Sequence, residues 1–378
     1  MYQRRGMMGG MWVISGLLGA ALLLLTSGSV LRTLVLPRGL TSRAMKLVWQ
    51  PWRRLLLLLA AGTRRYERRD RLLAWLGPLA LISTLLIWLV GMFAGYGLLM
   101  HAFSGLPWRT SFREAGSSLF TLGFASTDRL QLSAVDFAAA ATGPLVVALQ
   151  ISYLPTLYAA YNRRETEVTL LQSRAGEPAW GPELLARQGL VGTVEQLRQV
   201  YQGWERLAAD IGESHANYPV LLTFRSPQPY RSWIVAMLAV MDSAAMHLSL
   251  APTMAPPEAR LVLRASFTAL RDIARVVGIR FEEDPLPEST IALAYEEFLA
   301  GAKHAEDAGF RAERPAEEAW PHFQGWRVNY ERVTYELARK VDAVPALWSG
   351  PRDWPSEPMA TIRPPHRRPR SVPEDLDG

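Results

Sequence analysis

The groups in this sequence best placed to do chemistry are main-chain carbonyls. Residues 110–127 read Thr-Ser-Phe-Arg-Glu-Ala-Gly-Ser-Ser-Leu-Phe-Thr-Leu-Gly-Phe-Ala-Ser-Thr. The run opens with a helical signal, Ser111 as N-cap and Glu114 three residues later completing a capping box. It then becomes small, hydroxyl-bearing and apolar around Gly123. Irregular backbone at membrane depth is tolerated only inside protein or along a water-filled cavity. Oxygens left unpaired in such a place can replace the hydration shell of a cation.

Other chemistries have weaker candidates. The chain has no cysteine, which excludes disulfides, thiolate zinc sites and cysteine nucleophiles. Neither glycine-rich nucleotide-binding pattern, Gly-x-Gly-x-x-Gly or Gly-x4-Gly-Lys-Ser, is found in the sequence. His215, His247, His304, His322 and His366 are scattered, and His304 with Glu306 or Asp307 is poor metal spacing. Asp242 and His247 stand about 140° apart on a helix and do not share a face. The expectation is a protein that is not an enzyme, with no cofactor and no metal centre.

The elements that would position the loop are membrane helices. Of the 378 residues, 49% are hydrophobic and 20% charged, with net charge +6. Residues 11–31 carry no charge and suffice for one crossing, which needs ~20 apolar residues. Leu72 to Met100 is a second span, and its Gly91-x-x-x-Gly95 would admit another helix closely. A third runs from about Leu132 to Tyr161, with Asp136 near its start. Between the first two, Trp49 to Gly62 is too short to cross and fits the interface. The loop 37–71 carries ten Lys and Arg, against two before the first span. The positive-inside rule then makes that loop cytoplasmic, the N-terminus external, residues 101–131 external and everything from 165 cytosolic. The expected location is the cell (plasma) membrane, multi-pass. Because the basic charge flanks apolar helices, it predicts contact with membrane lipids and no nucleic-acid partner.

Thr121-Leu122-Gly123-Phe124-Ala125-Ser126 resembles the T-V-G-Y-G-D selectivity filter of the potassium channel superfamily. Phe112, Ala115 and Phe120 resemble its pore helix. The order outer helix, pore helix, filter, inner helix over about residues 72–164 is similar to the two-transmembrane pore module. The resemblance implies that Thr121 offers its hydroxyl and carbonyl to the innermost ion site. It implies that Leu122, Gly123 and Phe124 offer carbonyls in turn, followed by Ala125. It places Gly143 and Pro144 where the inner helix bends on opening. It also implies a homotetramer passing a monovalent cation. Ala125 stands where the family has a left-handed glycine, a conformation a Cβ disfavours by ~1–2 kcal/mol. Ser126 stands for the family's Asp, and Phe120 for its Thr.

The rest of the chain reads as helical. Helices are predicted at 193–207, 257–278, 288–306 and 328–342. Arg231 to Leu250 is apolar enough to be mistaken for a fourth span, but Asp242 and His247 interrupt it, which favours a central buried helix. Residues 344–378 are rich in Pro and Arg and read as disordered. The fold class expected is therefore all-α: an anchor at 1–36, a basic linker at 37–71, a pore module at 72–164, a cytosolic helical domain at 165–343 and a loose tail. The function expected is passive cation conduction. The alternative is a membrane-anchored scaffold or sensor whose channel-like loop does not conduct.

Overall fold

The computed structural model describes residues 2–36, 43–63, 65–125 and 130–363. Ser126, and residues 364–378 of the tail, lie outside them. The described chain is helical throughout, with two isolated bridges and no strand among the described residues. It forms two compact units: Met1–Arg163 with Asp210–Arg225 and Arg275–Gly278, and Arg164–Ala209 with Ser226–Ala274 and Ile279–Gly378.

The first unit is built on α1 (Tyr2–Leu34), α4 (Leu76–Ser104) and α6 (Leu130–Ala175). Each is long and apolar enough to cross a membrane. Their free faces carry Leu17, Leu24 and Leu25 on α1, Ile82, Leu86 and Val90 on α4, and Phe137, Leu145 and Ile151 on α6, all exposed. Water would penalise such faces, whereas hydrocarbon accepts them. Helices α1 and α4 run antiparallel in close contact. A Cβ on Gly19 would come within 2.8 Å of the Gly95 carbonyl, and one on Gly91 within 2.7 Å of the Thr26 hydroxyl. Further along, the Trp88 indole donates to Ser29 at 3.1 Å. The expected helix partner of Gly91 and Gly95 is thus α1.

Between α1 and α4 lie α2 (Arg43–Ala60) and α3 (Tyr66–Leu73). Trp52 of α2 donates its indole N–H to Ser83 at 2.8 Å. Val48 and Leu56 pack inward, while Leu55, Leu58 and Leu59 remain exposed. The helix turns at Ala74-Trp75, where α3 gives way to α4, within a stretch Tyr66–Ser104 long and apolar enough to cross a membrane. Helix α6 continues unbroken through Pro144 and Pro155.

The second unit surrounds α9 (Trp233–Leu250), of which every residue is buried. Helix α9 is a fourth helix long and apolar enough to span, yet protein covers it on all sides, as the interrupting Asp242 and His247 suggested. Around it stand α7 (Gly181–Leu190), the first part of α8 (Leu197–Asn217), α10 (Glu258–Val277), α11 (Tyr295–Asp307), α12 (Ala316–Arg327) and α13 (Glu331–Lys340). The fully buried Arg327 guanidinium bonds Asp242, Glu331 at 2.8 Å, the Tyr335 hydroxyl at 2.8 Å and the Trp348 carbonyl at 2.8 Å. A buried charge so partnered meets the requirement that desolvation imposes.

Three expectations are corrected here. Helix α11 begins at Tyr295 and not near 288, because the amides of Ala292 and Leu293 are bonded to the Glu331 carboxylate and not to a helix. Residues 344–363 are not disordered. Arg352 donates to the carbonyls of Ala343 (2.7 Å), Val344 (2.7 Å) and Ser349 (2.9 Å), and Trp348 packs on Trp180 and Phe323. Residues 210–225, assigned by sequence to the cytosolic domain, belong to the first unit.

Candidate functional site

The loop begins where α4 ends. Gly105 takes a left-handed φ of 63° and closes α4 with its amide on the His101 carbonyl. The Leu106 amide donates to the Ser104 hydroxyl at 3.0 Å, and the Leu106 carbonyl meets His101 Nδ1 at 2.7 Å. The His101 ring stacks on Trp108 at 3.7 Å. These contacts start α5 (Trp108–Leu119) directly after Pro107. Ser111 is therefore not the cap the sequence suggested. It lies within α5, buried, and the turn at His101 does the positioning. His101 is buried.

Helix α5 then follows α4 back along its length. Trp108 sits at His101, Phe112 against Gly97, and Gly116 against Phe93. A Cβ on Gly97 would come within 2.7 Å of the Phe112 ring, and one on Gly116 within 3.2 Å of Phe93. Phe93 and Phe112 meet edge to face at 5.3 Å. Ala115 and Leu119 complete a core with Trp88, Met92, Tyr96, Met100, Ala139 and Val146. Tyr96 and Thr142 share a hydrogen bond of 2.8 Å, joining α4 to α6. At the end of α5 the Leu119 carbonyl faces Gly143, where an added Cβ would lie 1.9 Å from it.

Residues 120–125 leave α5 with four of their amides turned back to it. Phe120 donates to the Gly116 carbonyl (3.1 Å), Thr121 to that of Ser118 (3.0 Å) and Leu122 to that of Ser117 (2.8 Å). The Ala125 amide donates to the Ser117 hydroxyl at 3.0 Å. Among the described residues, no donor reaches the main-chain oxygens of residues 121–125. Left-handed backbone occurs at Thr121 (φ 54°) and Gly123 (φ 71°) and not at Ala125. The Cβ of Ala125 therefore carries no left-handed strain, while that of Thr121 does. Leu122 and Phe124 are exposed in the single chain.

Two carboxyls stand behind the loop. Ser118 donates its hydroxyl to Asp136 of α6, and the buried Glu114 of α5 lies beside the same Asp136. From sequence, Glu114 is expected in a capping box and Asp136 stands near the start of the third span with no partner named. The signal available was an acid inside an apolar span opposite a hydroxyl-rich loop. Arg113, exposed on α5, stands over the Phe124 ring at 5.3 Å.

The structure thus gathers Thr121, Leu122, Gly123, Phe124 and Ala125 into one exposed turn at the end of α5, and sets Gly143 against that end. Pro144 follows on α6 and is exposed. In the second unit, Asp242 is engaged by Arg327 and Tyr330, and His247 packs against Tyr201 and Phe310. No group of His, Asp and Glu able to hold a metal ion occurs among the described residues. Compared with known proteins, the chain matches no family model, no characterised protein and no solved structure.

Proposed function

We propose that this chain is the subunit of a pore-loop cation channel that conducts passively across the plasma membrane. The observation that carries the reading is how far along α4 and α6 the end of α5 reaches. Gly143, which Leu119 touches, lies thirteen residues into α6, about 20 Å along a helix. Phe93, which Gly116 touches, lies eleven residues from the end of α4, about 16 Å. In a hydrocarbon layer of about 30 Å, a chain that descends so far and returns is a re-entrant loop, with α5 as its pore helix. The amides of Phe120, Thr121, Leu122 and Ala125 donate to α5, and among the described residues no donor reaches the oxygens of residues 121–125, which suits a cation path.

One copy cannot enclose an axis, so the conducting species is a homotetramer, as in the channels the loop resembles. Thr121 to Ala125 would line the filter, with the exposed Leu122 and Phe124 side chains covered by neighbouring subunits. Helix α6 would be the inner helix, with Gly143 and Pro144 as its flexible point. The N-terminus is external and the second unit cytosolic on the arginine distribution.

The test is flux from purified protein in liposomes under potassium and sodium gradients. Flux above empty liposomes, lost on Gly123→Val, supports the proposal. Gly123 is the substitution of choice because its φ is positive and nothing lies within 4 Å of an added Cβ. The defect would therefore come from backbone and pathway, not from packing. A second reading, a non-conducting scaffold, is favoured by Arg113, whose fixed charge beside Phe124 would oppose cations. Flux equal to empty liposomes at verified reconstitution would support it.

A further inference from the structure

Residues 210–225 interrupt the second unit in sequence and pack within the first. They do so at one place, the stretch of α6 on either side of Pro155. The 3-10 turn Pro219–Thr223 places Val220 and Leu221 in a buried cluster with Tyr153, Leu157 and Ala160 of α6, Ala80 of α4 and Val48 of α2. Tyr218 packs edge on against Tyr153 at 5.5 Å. Phe224 meets both Tyr158 and Tyr161 of α6 at 6.0 Å. On its other side Phe224 seats on Gly77 of α4, where a Cβ would come within 3.1 Å of the ring.

Polar bonds close the same clasp. Arg225 donates to the Asp70 carboxylate and, at 2.7 Å, to the Tyr66 hydroxyl, both on α3. The Tyr161 hydroxyl of α6 donates to the Arg225 carbonyl at 3.2 Å. Arg163, at the end of the same helix segment, pairs with Asp210 at 2.7 Å. The Arg225–Asp70 pair is nearly buried, each side chain 11% exposed, so losing one partner leaves the other charge poorly solvated.

We infer that residues 218–225 are a latch that ties α6 between Tyr153 and Tyr161 to α3 and α4, with Arg225 as its positioning residue. The latch grips α6 around Pro155, at Tyr153 before it and at Leu157 to Tyr161 after it, where the helix lacks one main-chain bond and bends most easily. Because the chain enters and leaves this segment from the second unit, movement there can set or release it. Its role as gate control rests on the conduction proposed above. The holding of α6 does not.

The absence of native cysteine permits a direct test on the full-length protein in liposomes. Spin labels at Arg68→Cys on α3 and Ala159→Cys on α6, both exposed, report the spacing of those helices when labelled chains are diluted with unlabelled ones. Arg225→Ala is expected to give a longer and broader distance distribution. The milder Tyr161→Phe should do the same to a smaller extent, and the exchange Arg225→Asp with Asp70→Arg should restore it. Distributions identical to the unsubstituted chain in both single variants overturn the latch. In the flux assay, release is expected to change conduction at least about fivefold. An altered distance with unchanged, measurable flux overturns the gating role. Flux equal to empty liposomes in every chain removes the conduction reading and leaves the distances to decide the latch.

Discussion

The Leu119 carbonyl oxygen occupies the space beside the Gly143 Cα where any other residue would carry its Cβ, 1.9 Å from that position. The obstructing atom is backbone at the end of α5, so no side-chain rotation relieves it. Gly143→Ala is accordingly expected to cost about 1–3 kcal/mol through overpacking, against the ~1 kcal/mol that alanine usually gains over glycine in a helix. Gly203→Ala is the control, since nothing lies within 4 Å of a Cβ there. Thermal unfolding followed by tryptophan fluorescence should fall for Gly143→Ala and hold or rise for Gly203→Ala. A Gly143→Ala protein as stable as its parent would mean that α5 does not end against α6.

The α1–α4 contact makes a parallel prediction. A Cβ on Gly95 would come within 2.7 Å of Leu23 and 3.3 Å of the Gly19 carbonyl. Gly95→Val should loosen α1 and cost about 1–3 kcal/mol. Gly28→Ala, on α1, meets nothing within 4 Å and should be tolerated. Limited proteolysis near residue 36, with unfolding temperature alongside, separates the two.

In the second unit, Arg327→Met would strand Asp242 and Glu331, both buried. Removing one partner from such a network costs about 3–5 kcal/mol, a drop of roughly 10 °C in the unfolding transition. Loss of less than a few degrees would show the network to be dispensable.

Glu183 supplies a pH dependence with a defined sign. Burial pushes its carboxyl upward, but hydrogen bonds from Arg363, Arg187 and His304 outweigh it and hold the pKa below 4.5. A lowered pKa in the fold means that ionised Glu183 contributes stability fully above its unfolded value, and that this is lost as pH falls through the folded one. The stability difference between the parent and Glu183→Gln should therefore be largest at neutral pH and shrink below pH 4.5. A difference constant from pH 7 to pH 3 would contradict it.

Much of this arrangement is written in hydropathy. Helices α1, α4 and α6 follow from uninterrupted apolar length, and the enclosure of α9 follows from two polar residues placed inside it. Other features depend on partners distant in sequence. Helices α7 and α12 are short, and α12 contains Pro321, so neither carries a periodic signal. The start of α5 depends on His101, four residues before the turn it fixes, which no capping rule anticipates. The packing of residues 344–363 rests on Arg352 collecting carbonyls, which composition cannot convey. For the loop, Gly123 and its hydroxyl-bearing neighbours were visible, whereas the carboxyl pair Glu114 and Asp136 required the two helices to be brought together.

Helix α9 has a consequence for biogenesis. Its eighteen residues have the length and mean hydropathy (1.6) of a span, so an emerging chain offers them to the insertion machinery before any of α10 to α13 has been synthesised. Asp242 near the middle opposes insertion by about 2.5–3.5 kcal/mol, and Arg327, its eventual counter-ion, comes 85 residues later. In that interval Asp242 and His247 are the groups that oppose insertion of the segment, so replacing Asp242 with an apolar residue is expected to raise its tendency to enter lipid before its partners exist.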